Sequence, residues 1–474
     1  MKGVVAAGDR RTAEAARDVL ADGGNAVDAA VAAGFTAFVA EPLLASAGGA
    51  GLMTVALPDA EPAVVDFFST MPGLGGRPMT LDFHHVEIDF GSTTQTFHVG
   101  RGSVAPPGAL PGLIAAAKRF GTRPLTELVA RAASSARSGL PLSPENAAVF
   151  SLLWPIQRRS AEAIALAGGR PPAAGDAIAN PALADLLEEA ARLEATPERF
   201  RRALLDAFGV EAGGLLSEED LARAAPRVRE ARHVDLGPWT IVTSPHVGGA
   251  RVARMVAQLA EHPAEEVEAL EALRVAHACR AASAHAPDGR GSTTHISVLD
   301  ARGGAASVTL TNGEGCGHVA PGTGVQPNNF LGEDDLNPDG FHQHAPGAVL
   351  PTMIAPTIGL ERGRPVIALG SGGSNRIRSV VSQVLYRVMR GDAIEHAVLA
   401  PRIHAEADDV WIEDVEWAGF DEVEAELSRE FARVHPFPGR AFYFGGVHAV
   451  LVDADGVAHA AGDPRRGGAV ARVE

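Results

Sequence analysis

The chain is 474 residues long and carries 41 Lys and Arg against 58 Asp and Glu, a formal charge of −17. A field of that sign repels phosphate backbones and anionic lipid, which argues against nucleic-acid binding and a polybasic membrane anchor. Apolar residues at 46% and charged residues at 21% describe a folded chain with an ample core, in two or three average domains or one large layered one.

The start, Met1-Lys2-Gly3-Val4-Val5 and then Asp9-Arg10-Arg11, is no secretory signal. Cys279 and Cys316 cannot make a disulfide framework, so a reducing, cytoplasmic location is expected. Thr12 to Leu20 predicts a helix closed by Gly23-Gly24. Asn25 can cap a second helix over Ala26 to Ala40 that Pro42 stops. Its apolar stretch, Ala29 to Ala40, is far short of the about 20 residues a bilayer span needs, and predicts a core helix. Gly51 to Leu57 and Pro62 to Phe68 predict a hairpin about Pro58-Asp59.

From about 124 to 232 the period becomes helical. Asn180-Pro181 sets up a cap ahead of the stripe Leu183, Leu186, Leu187 and Ala190, and Thr196-Pro197 repeats the device before Phe200. Ser217-Glu218-Glu219-Asp220 opens another helix with acids in its first turn. Ala281 to Ser292 turns small and polar, a linker that divides the chain. Past it the period is two, through Thr294, Ile296 and Val298 and again through Ala306, Val308 and Leu310, about a turn at Arg302-Gly303-Gly304. Strands near Val366 to Leu369 and His448 to Val452, with a helix from Ile377 to Met389, complete an α+β pattern of antiparallel sheets flanked by helices.

Paired threonines in a strand ordinarily do no more than suit a pleated surface. Thr293-Thr294 follows the linker directly, however, and a cut there would leave a threonine carrying hydroxyl and amine on one residue. An α-amino group titrates near 7.7 and can accept the hydroxyl proton itself, so no histidine is required. Gly370 to Asn375, after a strand and before a helix, offers backbone N–H groups to an anion or oxyanion but lacks the Lys-Ser/Thr of a phosphate loop. Gly48-Gly49-Ala50-Gly51 is the weaker of the two glycine turns. Glu333-Asp334-Asp335 suits a solvated loop, and His342-Gln343-His344 lacks companions at metal spacing.

Taken together these segments resemble the gamma-glutamyltransferase family of N-terminal-nucleophile hydrolases, from about Val4 to Arg466. The likeness is carried by Gly23-Gly24-Asn25-Ala26-Val27-Asp28, Glu41-Pro42, Pro107-Gly108, Gly248-Gly249, Thr293-Thr294-His295-Ile296-Ser297-Val298 with Asp300, and Gly462-Asp463-Pro464-Arg465-Arg466. The resemblance implies a four-layer αββα sandwich, a cut between Ser292 and Thr293, and a large part (1–292) and a small part (293–474) joined as a heterodimer or a dimer of heterodimers. It implies Thr293 as nucleophile, Thr311 as the residue that positions it, and Gly372 and Gly373 as oxyanion amides.

By the same resemblance Arg77, with Arg101 as fallback, takes the donor carboxylate; Asn312 and Glu333 hold the donor, and Thr352 stands in Pro351-Thr352 where the family has a serine pair. Phe330 replaces the expected glutamine. The implied activity is cleavage of γ-glutamyl amides such as glutathione through a threonyl ester, with transfer to water or an amino acid and no metal or organic cofactor. An acylase for a glutaryl or other acyl amide, and an unprocessed carboxylate-binding scaffold, are the alternatives.

Overall fold

The computed structural model describes residues 3–89, 94–261, 265, 267–283 and 292–473. The helix Arg10–Ala21 begins where the Asp9 side chain accepts from the Arg11 amide at 2.8 Å. The next, Ala26–Ala40, has the capping box its sequence offers: Asn25 accepts from the Asp28 amide and Asp28 from the Asn25 amide. Every residue of this second helix is buried, which its alanines allow by bringing neighbouring backbones close.

Seven antiparallel strands form one sheet, in the order Ala469–Val473, Gly3–Ala7, Thr293–Asp300, Ala305–Thr311, Ala50–Ala56, Ala63–Phe67 and Arg227–Glu230. Six more form a second, in the order Ala458–Ala461, Gly446–Val452, Arg364–Gly372, Thr357–Glu361, Trp239–Thr243 and Arg232–Leu236. Each sheet draws strands from both sides of residue 292.

Alternation along the strands decides what each face meets. Val5, Ala7, Ile296, Val298, Val308 and Leu310 pack with Val27 and Val31 of the buried helix. Val4, Ala6, Leu52 and Leu299 pack with Ile241, Ile358, Ile367 and Leu369 of the second sheet, and Ile377 and Val381 of the helix Arg376–Met389 join that cluster. The interface between the sheets is not wholly apolar. Ser297 Oγ donates to the His448 carbonyl and Ser307 Oγ to the Leu369 carbonyl, each at 3.0 Å, while the buried His295 ring joins Thr309 and Ser297.

Three expectations need correction. The helical middle block ends at Arg223, because Arg227–Glu230 pairs with Ala63–Phe67 and extends the first sheet. Thr196 caps nothing: Pro197 takes the N-cap position of Glu198–Phe208 with no side-chain bond. The linker is shorter than expected, since Ala281 and Ala282 finish the helix Glu268–Ala282; residues 284–291 of it lie outside the described residues. Among the described residues no helix is long and apolar enough to cross a membrane.

Candidate active site

Ser292 is the last residue before the strand Thr293–Asp300, and Thr293 opens that strand opposite Thr311, the final residue of Ala305–Thr311. All three are buried. Thr293 Oγ1 donates to Thr311 Oγ1 at 3.1 Å, and Thr311 Oγ1 donates to the Ser292 carbonyl oxygen at 2.9 Å. The Gly313 amide donates to the same Thr311 oxygen at 3.3 Å, so one hydroxyl touches both the Thr293 hydroxyl and the Ser292 carbonyl that the sequence expects Thr293 to attack. A donor at that carbonyl polarises it and stabilises the negative charge that attack would place on its oxygen.

Gly370, Ser371 and Gly372 are not loop, as expected from their composition, but the end of the strand Arg364–Gly372, paired with Gly446–Val452. Glycine is needed there by close approach: a Cβ at Gly372 would overlap the Thr293 carbonyl, and one at Gly370 would overlap the His295 ring. Gly373 follows with φ of 124°, and Ser374, at φ of 50°, donates to Asp335. The Gly48-Gly49 turn also bears on the site, since a Cβ at Gly49 would strike the Thr311 carbonyl.

Behind the strand, on the helix side, Thr294 Oγ1 donates to Glu41 Oε2 at 2.5 Å and Thr12 Oγ1 donates to Glu41 Oε1 at 2.7 Å. Burial, reinforced by Asp9, pushes the Glu41 carboxyl up to about 7. Glu41 thus fixes the backbone next to Thr293 from the opposite face.

Around Ser292 lies a group of charges that sequence reasoning singled out only in part. Glu314, between Gly313 and Gly315 at φ of 58° and 79°, is buried beside the Ser292 hydroxyl and amide. Burial raises its carboxyl to about 7 against the opposing pull of Ser292 and Arg466. Glu333 is pushed well above the usual carboxylate range, first by burial and then by Asp335 and Glu314. Among the described residues its Oε1 has no hydrogen-bond partner, nor has Asn312 Oδ1. The run Glu333-Asp334-Asp335 is therefore not a solvated loop: Glu333 and Asp335 are buried. The signal that marks Glu314 in the sequence is a lone acid between two glycines.

The remaining candidates are not brought to Thr293 by any bond. Arg77 is exposed and donates to the His342 carbonyl at 3.1 Å. Arg101, about 40% exposed, stands 3.8 Å from Asp82. Thr352 is buried, its hydroxyl accepting from the Ile354 amide at 3.3 Å. Phe330 stacks on Phe68, centroids 5.3 Å apart, and is fully buried in the apolar cluster that joins the two sheets.

A family model described as gamma-glutamyltranspeptidase matches residues 12–285 and 257–473. The chain is similar to the Acylase ACY 1 proenzyme of Pseudomonas sp. (strain SE83), 28% identical over 518 residues that cover 96% of this chain and 90% of that protein. It is similar also to the Glutathione hydrolase proenzyme of Pseudomonas aeruginosa, 27% identical over 541 residues that cover 98% and 93%. Among solved structures, the cephalosporin acylase from Bacillus halodurans superposes with a TM-score of 0.83 at 22% identity, covering 100% of this chain and 96% of that one; the likeness shows the fold.

Proposed function

The chain belongs to the gamma-glutamyltranspeptidase family, and on that premise we propose that it is a self-processing amidase that moves the acyl group of a γ-glutamyl amide onto Thr293 and then to water or an amino acid. The observation that carries this reading is the Thr311 hydroxyl, bonded at once to the Thr293 hydroxyl and the Ser292 carbonyl oxygen. The face-to-face contact of the two sheets, with helices behind each, supports a four-layer αββα sandwich.

In maturation Thr293 Oγ bonds to the Ser292 carbonyl carbon and gives up its proton, the Ser292–Thr293 C–N bond breaks, and the nitrogen takes up a proton. Water then hydrolyses the ester, leaving residues 1–292 and 293–474 as two chains of one heterodimer. In catalysis the new α-amine of Thr293 accepts the hydroxyl proton and delivers it to the leaving amine. The amides at Gly372, which lies tight against Thr293, and at the following Gly373 are assigned to the oxyanion. Water or an amine then releases the acyl group, with no cofactor required by any step.

A second reading, an acylase for glutaryl amides, draws on the similarity to an acylase proenzyme and on Phe330, an aromatic ring where the family resemblance expects a glutamine. Both readings share the nucleophile and the cut. The test is a denaturing gel with N-terminal sequencing of the small fragment, followed by assay on γ-glutamyl and glutaryl p-nitroanilides. A fragment beginning anywhere but Thr293, or a matured protein inert toward both amides, overturns the proposal.

A further inference from the structure

Arg465 and Arg466 are neighbours in the closing turn Pro464–Arg466, and their surroundings are opposite. Arg465 is saturated, ion-paired with Glu413 and Asp463 and donating to the carbonyls of Val398 and Ala400 at 3.2 and 3.1 Å. Arg466 is buried as well, yet its Nε and Nη1 have no acceptor among the described residues. The Phe442 ring covers its guanidinium at 3.9 Å from the centroid, and burial together with Arg376 pushes its pKa down to about 9. A buried guanidinium with unused N–H groups is destabilising unless an anion completes it.

The place of this residue gives the anion its meaning. Arg466 packs on Gly446, Gly446 pairs with Gly372, and Gly372 lies on the Thr293 carbonyl. Glu314 feels both Arg466 and Ser292, and among the described residues its Oε2 has no hydrogen-bond partner and no ion pair joins it to Arg466. Ser292 is the acyl side of the bond Thr293 is proposed to cut, so what surrounds Ser292 before the cut surrounds the space available to a substrate acyl group after it.

We infer that Arg466 binds the distal carboxylate of that acyl group, which makes the substrate class amides of a dicarboxylic acyl chain, γ-glutamyl or glutaryl. The inference rests on Thr293 as the nucleophile. It moves carboxylate recognition away from Arg77, which is exposed, and from Arg101, which is about 40% exposed and stands beside Asp82, and it makes Arg466 a specificity-determining residue rather than part of the acyl-transfer machinery.

The experiment compares kcat/KM for glutaryl-p-nitroanilide and butyryl-p-nitroanilide, which share a leaving group and differ by the carboxylate. In Arg466→Gln the ratio is expected to fall by about ten- to a hundredfold, chiefly through KM, because a charge-assisted bond to a carboxylate is lost. Arg466→Lys should restore part of it, since a point charge replaces a planar fork. An unchanged ratio in Arg466→Gln overturns the inference, as does a wild type that does not prefer the glutaryl amide. If Arg466→Gln fails to mature, Arg77→Ala and Arg101→Ala decide: loss of the preference in either overturns it. Preference retained in both, with the wild type inhibited by glutarate and not by butyrate, supports it. A matured wild type inert to every amide sinks the amidase reading instead, and glutarate binding by calorimetry, lost or kept in Arg466→Gln, then decides this one.

Discussion

Thr311 is the cross-strand partner of Thr293, so the 3.1 Å between their hydroxyls is set by backbone register as much as by side-chain choice. Thr311→Val keeps the shape of the strand and removes the hydroxyl. Loss of one donor at a developing oxyanion slows such steps by about 10²- to 10³-fold, and self-cleavage is expected to slow on that scale. Thr311→Ser should stay within about tenfold of the wild type, because the same oxygen can be presented. A gel time course reads both, and equal cleavage in Thr311→Val would detach this hydroxyl from the reaction.

Thr293→Ala is expected to leave one full-length chain without amidase activity, since cleavage and acyl transfer share one oxygen. Its far-UV circular dichroism should match that of the wild type, the side chain making one hydrogen bond to Thr311. Normal appearance of a small fragment in this variant would be fatal to the assignment.

Gly372→Ala tests whether the second sheet presses on the nucleophile. The added methyl has nowhere to go but into the Thr293 carbonyl, and overpacking of this kind costs about 1–3 kcal/mol. Maturation should fail or slow severely, with a lowered melting temperature. A variant that matures at the wild-type rate would show that the strand can move aside freely.

Glu41 makes a prediction about pH. Its carboxyl is raised in the folded chain to about 7, so the native state holds a proton that the unfolded state releases near pH 4.5. The stabilisation is therefore full below pH 4.5 and is lost as pH rises toward 7, by on the order of 3 kcal/mol. Glu41→Gln has no proton to lose, and the gap between its melting temperature and that of the wild type should shift in the variant's favour from pH 5 to pH 8. Parallel curves across that range would mean that Glu41 is ionised throughout.

Glu333 distinguishes the two classes of donor. Burial and then Asp335 push its carboxyl well above the usual carboxylate range, and only its ionised form can pair with a donor ammonium. KM for a γ-glutamyl amide should then fall with rising pH, while KM for a glutaryl amide, which has no ammonium, should not follow. Glu333→Ala should raise KM for the γ-glutamyl amide far more than it slows self-cleavage. If the two donors keep the same KM profile in the wild type, the ammonium is bound elsewhere.

Much of the frame is legible in the sequence because it is local. The Asn25-Asp28 and Ser217-Asp220 capping boxes, the alanine-rich helix between Pro42 and Asn25, and the hairpin carrying Thr293 each follow from spacing alone. What escapes is set by distant partners. Gly370 to Gly372 have the composition of a loop and are strand because they pair with Gly446 to His448, glycine being required where His295 and Thr293 approach from the other sheet. The strand Arg227–Glu230 exists because Ala63–Phe67 offers an edge, which no helical periodicity upstream announces. Counting from Pro72 along a family pattern leads to Arg77, but the chain there lies at the surface. Arg466 shows the reverse: adjacent arginines look alike in sequence and both are buried, and only the lack of acceptors among the described residues sets one apart.

Each sheet joins strands from both sides of residue 292, and in the first Thr293–Asp300 lies between Gly3–Ala7 and Ala305–Thr311. A single cut at Ser292 changes no strand pairing, yet it changes the molecularity of folding. The uncut chain folds in a first-order process that dilution does not affect. The cut protein, once unfolded, must recover the same sheets from two separate chains, so its yield on refolding depends on concentration and falls in dilute solution. Maturation thus closes the route by which the molecule was made: the native state is reached as one chain and, after the cut, is retained by the barrier to unfolding rather than by ready return.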